Sequence, residues 1–454
     1  MSLLGRFGLS MKCSEGRNAY LALILLVLPV FSIANASLFK NVRFHQLQNG
    51  VRVVFDILPQ STLAAVGVCI RAGSKDEPEN ARGVAHLVEH LVFKRAGTND
   101  SVGTQLDALS VIANAETSFD YTIFSCVLGR DKLHRALELM HRAILAAEFR
   151  EDLAEIEKKI VKLELAQRSE DVLELAKALS QWLIFRSHPY ACPYDGVRDV
   201  GQLTLAQALQ FYRAKYLPQN MTVICSGYFD EQSVLRTIER TFGKFESPWI
   251  KTDFTTSVPD IAQITKKHLI FGVEKPFNAI SMSFLAPGAS EGESFVAGEV
   301  IANYIGDPNI GELAELLKRS AKPLRLPVIG FNVSFVPGRA KSAISINLLL
   351  RDTNFGDVEA KVLDLLNSVR ENGINGNKLA KFKRLCELRF RKRCSSVLGR
   401  VATLAEAEGV ATYRLAVDYI DFIYSLNEGK ILRVARQIFN PDSYAVVVIR
   451  QKRK

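Results

Sequence analysis

The chain has 454 residues, of which 48% are hydrophobic and 23% charged, with 28 Gly, 15 Pro and 7 Cys. This is the balance of a foldable globular chain with room for more than one domain, and it excludes collagen-like, Pro/Gly-rich disordered and disulfide-scaffold classes. The net charge of +10 is spread along the chain, with its densest cluster from Lys381 to Arg393. With no nucleic-acid module and no interleaved aromatics, that cluster reads as a solvated helix face, and no nucleic-acid partner is expected.

Residues 21–34 read LALILLVLPVFSIA, preceded by Arg6, Lys12 and Arg17 and followed by Ala34-Asn35-Ala36. A basic start, an apolar run and a small-x-small site predict a signal peptide over 1–36, with cleavage near Ala36 and export to the periplasm or beyond. No later stretch is apolar enough to span a membrane. None of the later cysteines has C-x-x-C spacing. Cys69, Cys126 and Cys225 sit in apolar runs and read as buried, whereas Cys386 and Cys394 lie on a basic helix and could be exposed.

Along the chain, Asn49-Gly50 between two strand-like runs signals a hairpin over 47–55. Leu63 to Ile70 reads as a central strand, and Gly83 to Phe93 as a helix apolar nearly all round. A strand over Thr122–Leu128 precedes helices over Leu133–Ala147 and Leu153–Gln167. A helix over Leu205–Tyr216, a strand over Met221–Gly227 and a helix over Ser233–Phe242 follow. The polar stretch 246–265 reads as a linker, after which the order restarts with strands at Leu269–Phe271 and Ala279–Leu285. Further strands are expected at Ile344–Leu350 and Ser443–Ile449. The pattern predicts an α+β fold with two duplicated α/β-sandwich-like domains, 37–245 and 266–454, each a mostly antiparallel sheet covered by helices.

His86-Leu87-Val88-Glu89-His90 carries the chemistry. On a helix, i and i+4 share a face, so both imidazoles can reach one ion. Glu89 shares that face, while the neighbouring residues are apolar. Such polar groups on a buried helix need partners, and a metal ion supplies one. H-x-x-E-H is the order found in inverted zinc peptidases. A rival cluster, His134, Glu138 and His141, lies among Arg and Lys on an amphipathic helix and reads as a solvated face. Zinc needs a third ligand from another element. The 153–167 helix offers Glu155, Glu157 and Glu164. Glu157 and Glu164, two turns apart, flank a stripe of Leu153, Ile156, Ile160 and Leu163 that should face the core. Spacing alone does not choose between Glu157 and Glu164.

The stretch from Gly83 to Lys94, followed by Gly97-Thr98, resembles the active-site helix of the insulinase/pitrilysin metallopeptidases. Asn114 to Thr122 is similar to that family's substrate-facing strand, and the Glu-x6-Glu pair Glu157 and Glu164 to its second helix. His188-Pro189-Tyr190, Tyr194-Asp195-Gly196 and the run from Phe211 to Asn220 also match. The resemblance, closest to the processing-peptidase-like branch, implies one Zn2+ per chain held by His86, His90 and Glu164. It further implies Glu157 behind the ligands, Glu89 as general base, and Asn114 and Ala115 holding substrate backbone. Two features depart from the pattern. The segment Phe93-Lys94-Arg95-Ala96-Gly97-Thr98 is two residues longer than usual, and the Arg and Tyr that active members carry near Leu317-Lys318-Arg319 are not both present.

The sequence therefore predicts an exported zinc endopeptidase that cleaves peptides or unfolded segments, the alternative being a non-catalytic assembly or peptide-binding subunit on the same fold. It predicts a dimer, either with a homologous subunit lacking H-x-x-E-H or with itself. In the second case Arg319 or Arg325, with Phe331, would stand in for the missing pair.

Overall fold

The computed structural model describes residues 38–93, 102–110, 112–186, 188–191, 200–245, 267–274, 277–319 and 326–452. The signal-like segment, the 246–265 stretch, Gly97-Thr98, Cys192, Tyr194 to Gly196 and Arg325 lie outside the described residues. Asn49-Gly50 turns the chain as its type predicts. Gly50 takes φ +93°, a conformation that favours glycine, and Val42–Gln46 (β1) pairs antiparallel with Arg52–Ile57 (β2).

Four more strands complete the first sheet: Leu63–Ile70 (β3), Ile112–Thr117 (β4), Thr122–Gly129 (β5) and Met221–Gly227 (β6). Their order is β1-β2-β6-β3-β5-β4, antiparallel except at β2–β6. The second sheet holds Lys267–Val273 (β7), Asn278–Pro287 (β8), Val328–Val336 (β9), Lys341–Leu350 (β10) and Ala445–Gln451 (β11). Its order is β7-β11-β8-β10-β9, antiparallel except at β7–β11. Setting β2, β6, β3, β5, β4 beside β7, β11, β8, β10, β9 matches neighbour for neighbour and direction for direction. The sheets repeat one α+β plan, with β1 added at one edge of the first.

The helices that matter here are Val84–Val92 (α1), Val102–Leu109 (α2), Leu133–Leu145 (α3), Glu151–Glu170 (α4), Val172–Phe185 (α5) and Leu205–Lys215 (α6). After them come Glu231–Thr241 (α7), Glu293–Gly306 (α8), Glu312–Arg319 (α9), Phe355–Asn372 (α10), Gly376–Arg393 (α11) and Val397–Val410 (α12). Two of these helices are exchanged between the sheets. α5 lies on the second sheet, where Leu175, Ala176 and Leu179 pack with Ala279, Ala343 and Val447. There the Ser180 hydroxyl meets Ser281 at 2.8 Å and Ser283 at 2.7 Å. α12 lies on the first sheet, where Val401, Leu404 and Ala405 pack with Val54, Ala65, Cys69 and Ile224. The approach is close: a Cβ at Gly67 would stand 2.4 Å from Val401 Cγ1, so only glycine fits there.

Polar groups fix both ends of α12 to that sheet. Arg400 pairs with the buried Asp56 through two contacts, Nε–Oδ2 at 2.5 Å and Nη2–Oδ1 at 2.8 Å. Glu408 Oε2 accepts from Arg52 Nε at 2.9 Å, Arg71 Nη2 at 3.0 Å and Thr222 Oγ1 at 2.9 Å.

Two expectations are corrected. Cys386 and Cys394 are buried, because α11 turns its basic residues outward and its sulfur-bearing face to the core. The outward residues pair within the chain, Arg389 with Asp307 and Arg391 with Glu387. On α4, only Leu153 of the apolar stripe is buried; Ile156, Ile160 and Leu163 are exposed. The face turned inward is instead Ala154, Glu157 and Val161. A carboxylate facing α1 gains a histidine partner there, and the rotation that provides it leaves the isoleucines in solvent.

Candidate metal centre

The site is built on α1. Gly83, at φ +87°, starts the helix, and the buried Glu77 carboxylate caps it, accepting from Gly83 N at 2.9 Å and Ala85 N at 3.0 Å. Val84, Ala85, Leu87, Val88, Leu91 and Val92 are buried, so the helix cannot rotate without exposing apolar surface. This holds His86, Glu89 and His90 on the remaining face, where their ligand atoms lie within 4.8 Å of one another. The two rings meet at 4.9 Å between centroids and 75° between planes.

α4 supplies both carboxylates that the sequence singled out, in different places. Glu157, buried, reaches His90 Nδ1 at 3.0 Å. In the tautomer that donates Nδ1–H to Glu157, His90 Nε2 carries the lone pair. Glu164 Oε2 stands 3.4 Å from His86 Nε2 and 3.6 Å from His90 Nε2. Bonds of about 2.0–2.1 Å at a tetrahedral angle place zinc ligand atoms roughly 3.3 Å apart. Glu164 Oε2 therefore stands at zinc-ligand spacing from both Nε2 atoms. Glu155, by contrast, faces away and pairs with Lys158.

Burial, with the neighbouring His90 and Arg168, pushes the His86 pKa down to about 3, so its imidazole is neutral and able to ligate. At His90 burial also opposes the charged form, but the Glu157 hydrogen bond and the charges of Glu89 and Glu164 outweigh it and raise the pKa. Burial raises Glu89, against the pull of the Thr117 hydroxyl, which donates to Glu89 Oε2 at 2.5 Å.

Thr117 ends β4, which carries Asn114 and Ala115. β4 is the last strand of its sheet, so among the described residues it has a strand neighbour on one side. The rival cluster disperses: His134 bonds Thr237 at 2.8 Å, Glu138 pairs with Arg135 and Arg240, and His141 lies against Phe242. Arg319 closes α9, and Phe331 on β9 packs on the second core. Sequence reasoning passed over Glu77 and Thr117. Glu77 sits six residues before the helix start, and Thr117 is brought to Glu89 only by sheet pairing.

The model described as Insulinase (Peptidase family M16) matches residues 52–188, and that described as Peptidase M16 inactive domain matches 202–385. The chain belongs to peptidase family M16. An uncharacterized zinc protease of Mycobacterium tuberculosis is 32% identical to this M16 chain over 201 residues, 43% of the chain and 46% of the relative. The mitochondrial-processing peptidase subunit beta of Caenorhabditis elegans is 24% identical over 240 residues, 50% of the chain and 52% of the relative. The chain spans about half the length of the curated relatives it matches. Among solved structures, a protease from Helicobacter pylori superposes with a TM-score of 0.80 at 20% identity, over 90% of this chain and 99% of that one. The first half of the periplasmic protease PqqL from Escherichia coli gives 0.66 at 18%, over 90% and 92%. At these identities the likeness is one of fold.

Glu77 carries a stability prediction. Burial pushes its pKa up to about 7, from 4.5, in spite of its two backbone donors. Between those values the folded chain holds a proton that the unfolded chain has released, so stability falls as pH rises through this window, by about 3 kcal/mol at most. Urea unfolding at pH 4.5 and 7.5 should show this decline in the wild type and lose most of it in Glu77→Gln. An equal slope in the two proteins would show that Glu77 is not the titrating group.

Proposed function

We propose that this M16 chain is an exported zinc endopeptidase acting on peptides or unfolded segments. One observation carries the reading: Glu164 Oε2 stands 3.4 Å from His86 Nε2 and 3.6 Å from His90 Nε2, beside the buried carboxylate of Glu89. Zinc bound there supplies a Lewis acid that brings the pKa of a water toward ~7 and polarises a carbonyl. Glu89 takes the proton of the attacking water and returns it to the leaving amine nitrogen. Glu157 keeps His90 in the ligating tautomer. The outer edge of β4, with Asn114 and Ala115, receives the substrate as an added strand, which favours extended chains over folded ones. Export rests on the apolar segment 21–34, and the fold is shared with a periplasmic protease. A homologous partner chain would supply the Arg and Tyr that the second half does not pair.

The test uses residues 37–454, alone and co-expressed with a homologous chain lacking H-x-x-E-H. Zinc per chain, molecular size and cleavage of an unstructured peptide library are measured with and without chelator. One zinc per chain and chelator-sensitive cleavage, restored by added zinc, are expected. Peptides bound but left intact by the zinc-loaded chain, alone and in the mixture, would establish the binding-subunit alternative instead.

The two α4 carboxylates are separable by metal content. Glu164→Gln should remove most of the zinc, and Glu157→Gln should weaken binding about 10–100-fold, as for other groups that orient a ligating histidine. The opposite order in a chelator competition would give the ligand role to Glu157.

A further inference from the structure

We infer that Thr117 is the positioning residue for Glu89: its hydroxyl holds one carboxylate oxygen and clamps the substrate-edge strand to the metal helix. The inference rests on the zinc-peptidase reading above. Thr117 Oγ1 donates to Glu89 Oε2 at 2.5 Å. A hydroxyl has one proton, and its neighbour does not compete for the same acceptor. Thr122, paired with Thr117 across β4–β5, gives its own proton to Ala72 O at 3.0 Å, and the two hydroxyl oxygens stand 3.4 Å apart. The arrangement thus commits Oε2 to Thr117 and leaves Oε1 as the oxygen that can take a proton from water.

The bond has a second consequence. Asn114, Ala115 and Thr117 share one six-residue strand, and that strand is tied to α1 through Glu89. A peptide registered on the β4 edge is therefore registered against the base. A near-attack geometry depends on that coupling, and small misplacements lower the rate more than the affinity.

Thr117→Val removes the hydroxyl at nearly constant volume, Thr117→Ala removes it with less bulk, and Thr117→Ser keeps it. Loss of the bond that positions the base should lower kcat about 10–100-fold in Val and Ala. KM, zinc affinity by chelator competition and thermal midpoint should stay near wild type in both, and Ser should recover most of the rate. Wild-type kcat in Val or Ala, zinc loss in either, or a Ser variant as slow as Val would overturn the inference. Glu89→Gln is assayed in parallel. If it still turns over, the base assignment itself has failed; if it is inactive while Val and Ala are normal, only the role of Thr117 has.

Discussion

Glu89→Gln should bind zinc like the wild type and show no measurable turnover. In the proposed ligand set of His86, His90 and Glu164, Glu89 is not a ligand, so replacing it takes none away. The amide is nearly isosteric and can still accept from Thr117, so α1 and β4 keep their contact. What disappears is the basic oxygen. General-base contributions of about 10²–10⁴-fold are typical, and here the same group also delivers the proton to the leaving nitrogen, so both steps fail together. Zinc stoichiometry, thermal midpoint and single-turnover cleavage of one good peptide are the measurements. Hydrolysis at a wild-type rate by the zinc-replete variant would remove Glu89 from the mechanism. Loss of zinc would instead make it a ligand, a role its bond to Thr117 argues against.

Part of this site is legible in the amino-acid sequence. His86 and His90 declare themselves because i, i+4 spacing on a helix puts two imidazoles on one face, and because the residues around them are apolar enough to bury that helix. Hairpin and strands are legible for similar local reasons, Asn49-Gly50 being the clearest. The orientation of α4 is not. Its apolar periodicity points Ile156, Ile160 and Leu163 inward, yet these are exposed and Glu157 is buried. Periodicity weighs apolar surface alone, and it does not see that a histidine on another helix can satisfy a buried carboxylate. The exchange of α5 and α12 is hidden for a related reason. A sequence shows which face of a helix is apolar but not which sheet will cover it. Leu175 and Leu179 would read the same on either sheet, and only Ser180, matched to Ser281 and Ser283, belongs to one of them.

The exchange concentrates stability at a few buried polar groups, and Glu408→Ala should be the most damaging single change outside the metal centre. Glu408 is fully enclosed on α12, with its carboxylate receiving Arg52, Arg71 and Thr222 on one oxygen and Tyr413 N at 2.7 Å on the other. Burial opposes its ionisation, but Arg52 and Arg71 beside it, with the Tyr413 and Thr222 donors, hold the carboxyl below its ordinary range. Burial and the nearby Arg52 in turn lower Arg71 to about 10, which leaves it charged at neutral pH. Alanine would leave two guanidinium groups facing each other without their counter-ion. Removing one partner of a buried ion pair costs about 3–5 kcal/mol, well beyond the typical point mutation. Glu408→Gln keeps acceptors for part of the network and should lose less. The pH dependence separates charge from shape. A carboxyl depressed in the folded state stabilises fully above its unfolded value of 4.5 and loses that contribution as pH falls through its folded value. On acidification below pH 4.5 the wild type should therefore converge toward Glu408→Gln in urea midpoint. A Glu408→Ala protein within about 1 kcal/mol of wild type at pH 7 would mean that packing of Val401 and Leu404, not this ion cluster, fastens α12 to the first sheet.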